Sequence, residues 1–116
     1  MSVPNECPYI LGMDAGGTKT KVNIARLDGT LIESFEGEGM NVNSFGPEVT
    51  GQHLRDILTR VKLRMGSFRE LRGVCIGAAG ISNAVTREVL ISGVKEAGIE
   101  IEPLLLGDQT IALYGT

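Results

Sequence analysis

The sequence predicts a mixed α/β domain with the element order β-β-β-α-β-α-β-α. Three hairpin-linked strands come first, and two crossover units then add parallel strands beside the first strand. Three observations carry this. Short apolar runs end at glycine or aspartate, and Asp28-Gly29 sits between two strand-like segments. A single stripe of Leu54, Ile57, Leu58, Val61 and Met65 recurs at helical spacing. Right-handed crossovers would place helices on both faces of a mixed five-stranded sheet.

Residues 1–8 begin with a polar stretch containing Pro4 and read as an N-terminal tail to a domain spanning 9–116. Tyr9-Ile10-Leu11-Gly12-Met13 is a short apolar run, expected as a strand buried on both faces. It stops at Asp14 and a pair of glycines. Lys21-Val22-Asn23-Ile24 alternates polar with apolar, as a half-buried strand does. Asp28-Gly29 then suits a two-residue hairpin in which both central positions want positive φ. A third strand runs through Leu31, Ile32 and Phe35 and dissolves in Gly37-Glu38-Gly39.

Residues 39–46 are rich in Gly, Asn and Ser and read as a loop, after which Pro47 suits the first turn of a helix closed by Gly66. Gly73 to Gly80 is an apolar strand running into small residues. Ser82 or Asn83 can cap a second helix carrying Leu90, Val94 and Ala97, with Gly98 as its stop. Ile101 to Leu106 reads as a last buried strand ending at Gly107-Asp108. Gln109 to Tyr114 reads as the start of a third helix.

Composition excludes several function classes. Hydrophobic residues make up 42% and charged residues 22%, the balance of an ordinary soluble domain. A net charge of −3, with no dense basic run and few aromatics, argues against a nucleic-acid or anionic-membrane partner. The basic residues from Arg60 to Arg72 read as a solvated face. Cys7 and Cys75 are far apart, with no CxxC, so neither a disulfide framework nor a zinc site is expected. The single histidine, His53, reads as a helix residue at the surface or boundary. No transmembrane run or signal peptide is evident, and the expected compartment is the cytoplasm.

Four segments can carry chemistry. A polyphosphate loop needs inward N–H groups, small side chains that permit close approach, and donors at the rim. Gly16, Gly17, Thr18, Lys19 and Thr20 supply these within five residues, and Asp14 adds a carboxylate where magnesium would need one. The order Gly17-Thr18-Lys19 is not a P-loop, and the turn leads into a strand rather than a helix; GxGxxG is also absent. A double glycine here also reads as a plain hairpin turn. Asp108, ending a strand, can serve as a general base or simply cap the next helix. Gly77-Ala78-Ala79-Gly80 lets a ligand approach, or packs a tight turn. Asn41, Asn43 and Ser44 suit a neutral polyol, or are ordinary loop residues.

Taken in order, these segments resemble the N-terminal domain of N-acetylglucosamine kinases. They lie within the wider BadF/BadG/BcrA/BcrD-type ATPase family of the actin/hexokinase/Hsp70 superfamily. Gly12 to Thr20 resembles the family's first phosphate motif, Gly39 to Asn43 its sugar loop, Gly77 to Ile81 its strand-end motif and Gly107 to Ala112 the segment bearing the base. The resemblance implies a ribonuclease H-like, actin-like ATPase fold. It also implies an ATP- and Mg2+-dependent kinase acting on N-acetylglucosamine or a related amino sugar. Asp108 would be the base, Asp14 the magnesium partner, Gly16 to Thr20 the phosphate loop, and Asn43 and Gly80 sugar contacts.

Gln109 and Ser44 depart from many relatives, which bears on hydrogen bonding beside the base and on acyl-group preference. The resemblance also places a second phosphate motif and the adenosine motif in a second lobe of the same polypeptide. This 116-residue chain alone is therefore expected to bind ATP weakly or not at all. A homodimer is compatible with it. Other readings are a glucokinase, disfavoured by Gly107 before Asp108, an ATPase activator of a CoA-linked enzyme, and a non-catalytic sugar-binding relative.

Overall fold

The computed structural model describes residues 8–16, 18–78, 80, 81 and 83–107. The elements are β1 (Tyr9–Ala15), β2 (Lys19–Arg26), β3 (Leu31–Glu38), α1 (Val42–Met65), β4 (Leu71–Ala78), α2 (Ala84–Glu96) and β5 (Leu104–Leu106). They form one five-stranded sheet in the order β3-β2-β1-β4-β5. β2 pairs antiparallel with β1 and β3, while β4 pairs parallel with β1 and β5. The mixed sheet and the element order are those expected from the sequence. The third helix, expected from Gln109, lies outside the described residues.

The two described helices pack against each other. Apolar side chains from alternate strand positions form the core with them. Tyr9, Leu11, Met13 and Ala15 of β1 are buried, as are Val22 and Ile24 of β2 and Val74, Ile76 and Ala78 of β4. From α1 and α2 come Leu54, Ile57, Leu58, Val61, Leu90 and Val94, each at 1% exposure or less. Each such side chain, fully buried, contributes roughly 1.5–3 kcal/mol. The opposite strand face carries Ile10, Asp14, Lys21 and Leu104 and is exposed. β1 therefore alternates rather than being buried on both faces, because among the described residues nothing packs over that second face. Cys75 lies on it half-buried, and burial pushes its thiol pKa up.

Three details depart from expectation. The β2–β3 turn is closed by the Gly29 N–H donating to the Arg26 carbonyl at 2.9 Å, and only Gly29 has positive φ. That is the three-residue pattern with a left-handed glycine, not the two-residue turn. The Asp28 carboxylate accepts from the Thr30 N–H at 2.9 Å, which lowers its pKa and fixes the turn. The extra residue reappears as a register shift between Ile24 and Ala25. β5 spans only Leu104–Leu106, and Leu104 is 59% exposed; it is a sheet edge, not a buried strand. Finally, one helical turn precedes Pro47, separated from the long helix by Gly46 at φ 81 and ψ 164.

The helix ends follow the capping residues. Gly66 closes α1, its N–H donating to the Lys62 carbonyl at 2.7 Å. After α2, Gly98 and Ile99 donate back to Lys95 and Val94, the paired bonds of a Schellman stop, with Ile99 buried behind them.

Candidate functional site at the carboxyl edge of the sheet

Because β3 is antiparallel to β2, and β2 to β1, strands β1, β3, β4 and β5 all point the same way. Their carboxyl ends share one edge. The described parts of the candidate segments therefore meet there, in the spatial order 39–43, 16 and 18, 80–81, and Gly107, the residue before Asp108. At the spacing of neighbouring strands they span roughly 20 Å. Ligands in open α/β sheets bind outside this edge.

The β1–β2 loop is tight. The Gly16 N–H donates to the Lys19 carbonyl at 2.8 Å. A Cβ on Gly16 would fall 2.8 Å from that same carbonyl oxygen, closer than real side chains come, so the position requires glycine. Thr18 and Lys19 are exposed, and Gly17 lies outside the described residues. The Lys19 ammonium stands 4.0 Å from the Glu38 carboxylate, an exposed pair of little energetic weight. Asp14 is exposed on the open face, opposite Lys21 on one side and Gly77 on the other.

Thr20 is placed differently from the expectation that it lines the phosphate loop. It is fully buried, and its hydroxyl donates to the Glu38 carbonyl at 2.8 Å. The alternation of β2 turns it toward the helices, so it braces the loop from behind. The neighbouring Gly39 N–H donates to the Thr18 carbonyl at 3.0 Å, so Glu38 and Gly39 together tie the end of β3 to the phosphate hairpin.

Beyond Gly39, Met40 is buried at 1% exposure and anchors the chain to the core. Asn41 caps the short helical turn, its side chain accepting from the Asn43 N–H at 2.9 Å. Asn43 and Ser44 thus sit exposed on an ordered turn rather than in a loop. His53 of α1 reaches back to this segment. Its Nδ1 lies 2.8 Å from the Gly39 carbonyl, and its ring meets Phe45 edge-on at 5.1 Å. Nothing in the sequence pattern marks this contact, which joins positions 14 residues apart; only His53 being the chain's single histidine could have drawn notice.

On the other side, Gly80 has φ 75, and its carbonyl accepts from the Asn83 N–H at 2.9 Å. Asn83 in turn caps α2, its side chain accepting from the Val85 N–H at 2.8 Å. Gly107, at the end of β5, abuts Ile81, a Cβ there falling 3.7 Å from Ile81 Cγ2. The β4 and β5 ends are therefore neighbours. Asp108, the expected base, follows Gly107 directly and lies outside the described residues. Two concavities of about 550 and 530 Å³ are elsewhere. One lies between α1 and α2 around Gly51, Arg55 and Gly93, the other around Lys62, Phe68, Arg72 and Ile99.

No family model matches the chain. An N-acetylmuramic acid/N-acetylglucosamine kinase of Clostridium acetobutylicum is 30% identical over 109 residues, 92% of this chain. A Chromobacterium violaceum structure described as an N-acetylglucosamine kinase matches with a TM-score of 0.62 at 20% identity, covering 95% of this chain and 38% of that one. In sequence the chain is similar to an amino-sugar kinase, and its fold is that of the actin-like ATPase domains. The fold is shared more widely, for the ethanolamine utilization protein EutJ of Carboxydothermus hydrogenoformans matches with a TM-score of 0.63 at 19% identity. That match covers 97% of this chain and 41% of that one.

The chain spans about a third of the curated kinase it matches, 35% of that protein's length. It is also 31% identical over 85 residues to the large ribosomal subunit protein bL20 of Anaeromyxobacter dehalogenans, covering 73% of this chain and 75% of that one. An acidic chain of net charge −3 does not suit a phosphate-rich RNA surface, and the fold agrees with the kinase likeness instead. No described helix is long and apolar enough to cross a membrane.

Proposed function

We propose that the protein to which this chain contributes transfers the γ-phosphoryl group of ATP to a hydroxyl of an amino sugar, N-acetylglucosamine or a close relative. The observation that carries this reading is the convergence of the glycine hairpin, the Asn41-capped turn, Gly80 and Gly107 on one carboxyl edge. Gly16 and Gly17 would let the phosphates approach the backbone, with Thr18 and Lys19 supplying donors at the rim. Thr20 holds that hairpin in shape from behind. Asn43 and Gly80 would seat the sugar, and Asp108 would accept the proton of the attacking hydroxyl.

The edge fits the nucleotide and its metal. Gly16 keeps the hairpin tight, since a Cβ there would meet the Lys19 carbonyl oxygen at 2.8 Å, and Asp14 two residues earlier is an exposed carboxylate. Magnesium usually keeps several waters and takes only one or two protein carboxylates along with phosphates. Bound there, it would neutralise charge on the transferring group. A second lobe of the same polypeptide would close over the edge and exclude water, in the cytoplasm where ATP is abundant.

The test uses the full-length protein with ATP, magnesium and a panel of hexoses and amino sugars. ADP formation that requires an amino sugar is the expected result. Sugar-independent ATP turnover would instead favour an ATPase that drives a partner protein. Asp108→Asn should lower transfer by roughly 10²–10⁴-fold, the usual contribution of a general base, with nucleotide affinity kept. Near-normal turnover in that variant removes Asp108 from the role.

A further inference from the structure

We infer that His53 is a positioning residue that couples the phosphate hairpin to the sugar-side turn through Gly39. The inference rests on the proposed kinase reading for its functional consequence, though its structural basis stands without it. Gly39 is held from two sides. Its N–H donates to the Thr18 carbonyl at 3.0 Å, on the phosphate hairpin, and its carbonyl faces His53 Nδ1 at 2.8 Å, on α1. A carbonyl can only accept, so Nδ1 carries the hydrogen and donates. The Glu38 carbonyl, one peptide earlier, takes the Thr20 hydroxyl at 2.8 Å.

The same histidine ring packs edge-on against Phe45, with centroids 5.1 Å apart and planes at 74°. Phe45 closes the turn that presents Asn43 and Ser44, its N–H donating to the Asn41 carbonyl at 2.9 Å. A continuous set of contacts therefore runs from Thr18 through Gly39 and His53 to Phe45. The long helix α1 carries His53, and its Leu54, Ile57, Leu58 and Val61 are buried in the core, so His53 stands on a rigid support. A shift of the phosphate hairpin on nucleotide binding would be transmitted to the turn presenting Asn43, and the reverse. Filling one loop should prepare the other, which requires a free-energy coupling that is the same in both directions.

An imidazole is suited to this place because it is at once a donor and an aromatic face, and the two roles can be separated. His53→Asn keeps an amide N–H at nearly the position of Nδ1 but loses the ring. His53→Phe keeps a ring against Phe45 but has no donor. Amide exchange of the segment Gly37–Phe45 in the full-length protein, without ligand, reads the structural link. In His53→Phe this segment should exchange roughly fivefold faster, the factor that one neutral hydrogen bond of typical net strength contributes. His53→Asn should stay within about twofold of the parent on the same reasoning, and buried amides of α1 and β1 should be unchanged in both.

Nucleotide affinity, measured with and without N-acetylglucosamine, reads the functional link. The sugar-induced gain in affinity should be lost in His53→Phe and kept in His53→Asn. Slow exchange of Gly37–Phe45 in His53→Phe would overturn the inference. So would equal acceleration of all core amides, which is what a merely structural residue gives, or an undiminished sugar-induced gain in His53→Phe. A parent protein that phosphorylates no sugar would count against the kinase reading alone, because the exchange pattern is read without ligand.

Discussion

Between β3 and β1 the carboxyl edge is held by hydrogen bonds that converge on two residues, Glu38 and Gly39. Thr18, Thr20 and His53 all reach them, and Met40 anchors the chain next to them in the core. Beyond β4, the contacts among the described residues at the same edge are the Asn83 N–H on the Gly80 carbonyl and Gly107 lying against Ile81. β5 there is three residues long, and Leu104 is largely exposed. The difference matches the chemistry proposed for each side. Phosphate binding needs backbone N–H groups fixed before the ligand arrives, since ordering them afterwards would cost affinity. The β4–β5 side needs only to carry a few groups at strand ends.

Substitutions on the braced side should separate binding from folding. Gly16→Ala should have the largest effect, because its Cβ would meet the Lys19 carbonyl oxygen at 2.8 Å and the hairpin must open. Loss of about tenfold or more in nucleotide affinity of the full-length protein is expected, with the helices intact by circular dichroism. Unchanged affinity would show that the hairpin is a plain turn. Thr20→Val should act on folding instead. It leaves the Glu38 carbonyl without its buried donor, a loss of about 1–3 kcal/mol in denaturant unfolding. A purely kinetic effect without loss of stability would return Thr20 to the phosphate set.

The two caps offer a direct contrast across the edge. Asn41→Ala and Asn83→Ala should each lose about 1 kcal/mol, since each removes a side-chain oxygen that accepts a first-turn N–H. Only Asn41→Ala should also weaken sugar binding, because it loosens the turn that presents Asn43. Equal effects on sugar binding would erase the proposed distinction between the sides.

The smallest effect on ligand binding is expected away from the edge and serves as a control. Tyr9 is buried and donates to the Ser67 carbonyl at 2.8 Å, and its pKa is pushed up to about 12 by burial and then by the Glu70 carboxylate. A raised pKa favours the protonated folded form. Its contribution is full below pH 10, the unfolded value, and is lost as pH rises toward 12. Thermal melts of Tyr9→Phe should therefore fall less steeply than the parent between pH 10 and 12, with ligand affinity at neutral pH unchanged.

Most of the strands and helices were legible because each has a local cause. Period-two alternation marks β2, the stripe from Leu54 to Val61 marks α1, and Asn83 with Gly98 marks both ends of α2. The hairpin type is not legible, because Asp-Gly is compatible with two turns and only the pairing of β2 with β3 decides between them. In sequence the helical turn at Val42 reads as loop because residues 39–46 are rich in Gly, Asn and Ser. The candidate site was legible as residue types but not as roles, Thr20 being the clearest case. Its hydroxyl looks like a phosphate donor in sequence, and strand alternation turns it into the interior.

The sequence by itself determined the order of the described elements and the glycine hairpin with Asp14 before it, because these rest on local preferences and short spacings. Only the tertiary structure decided that Asn41, Gly16, Gly80 and Gly107 share one edge, and that His53 and Thr20 brace it from behind. Those relations join residues far apart in the chain, through strand pairing and helix packing that no local pattern encodes.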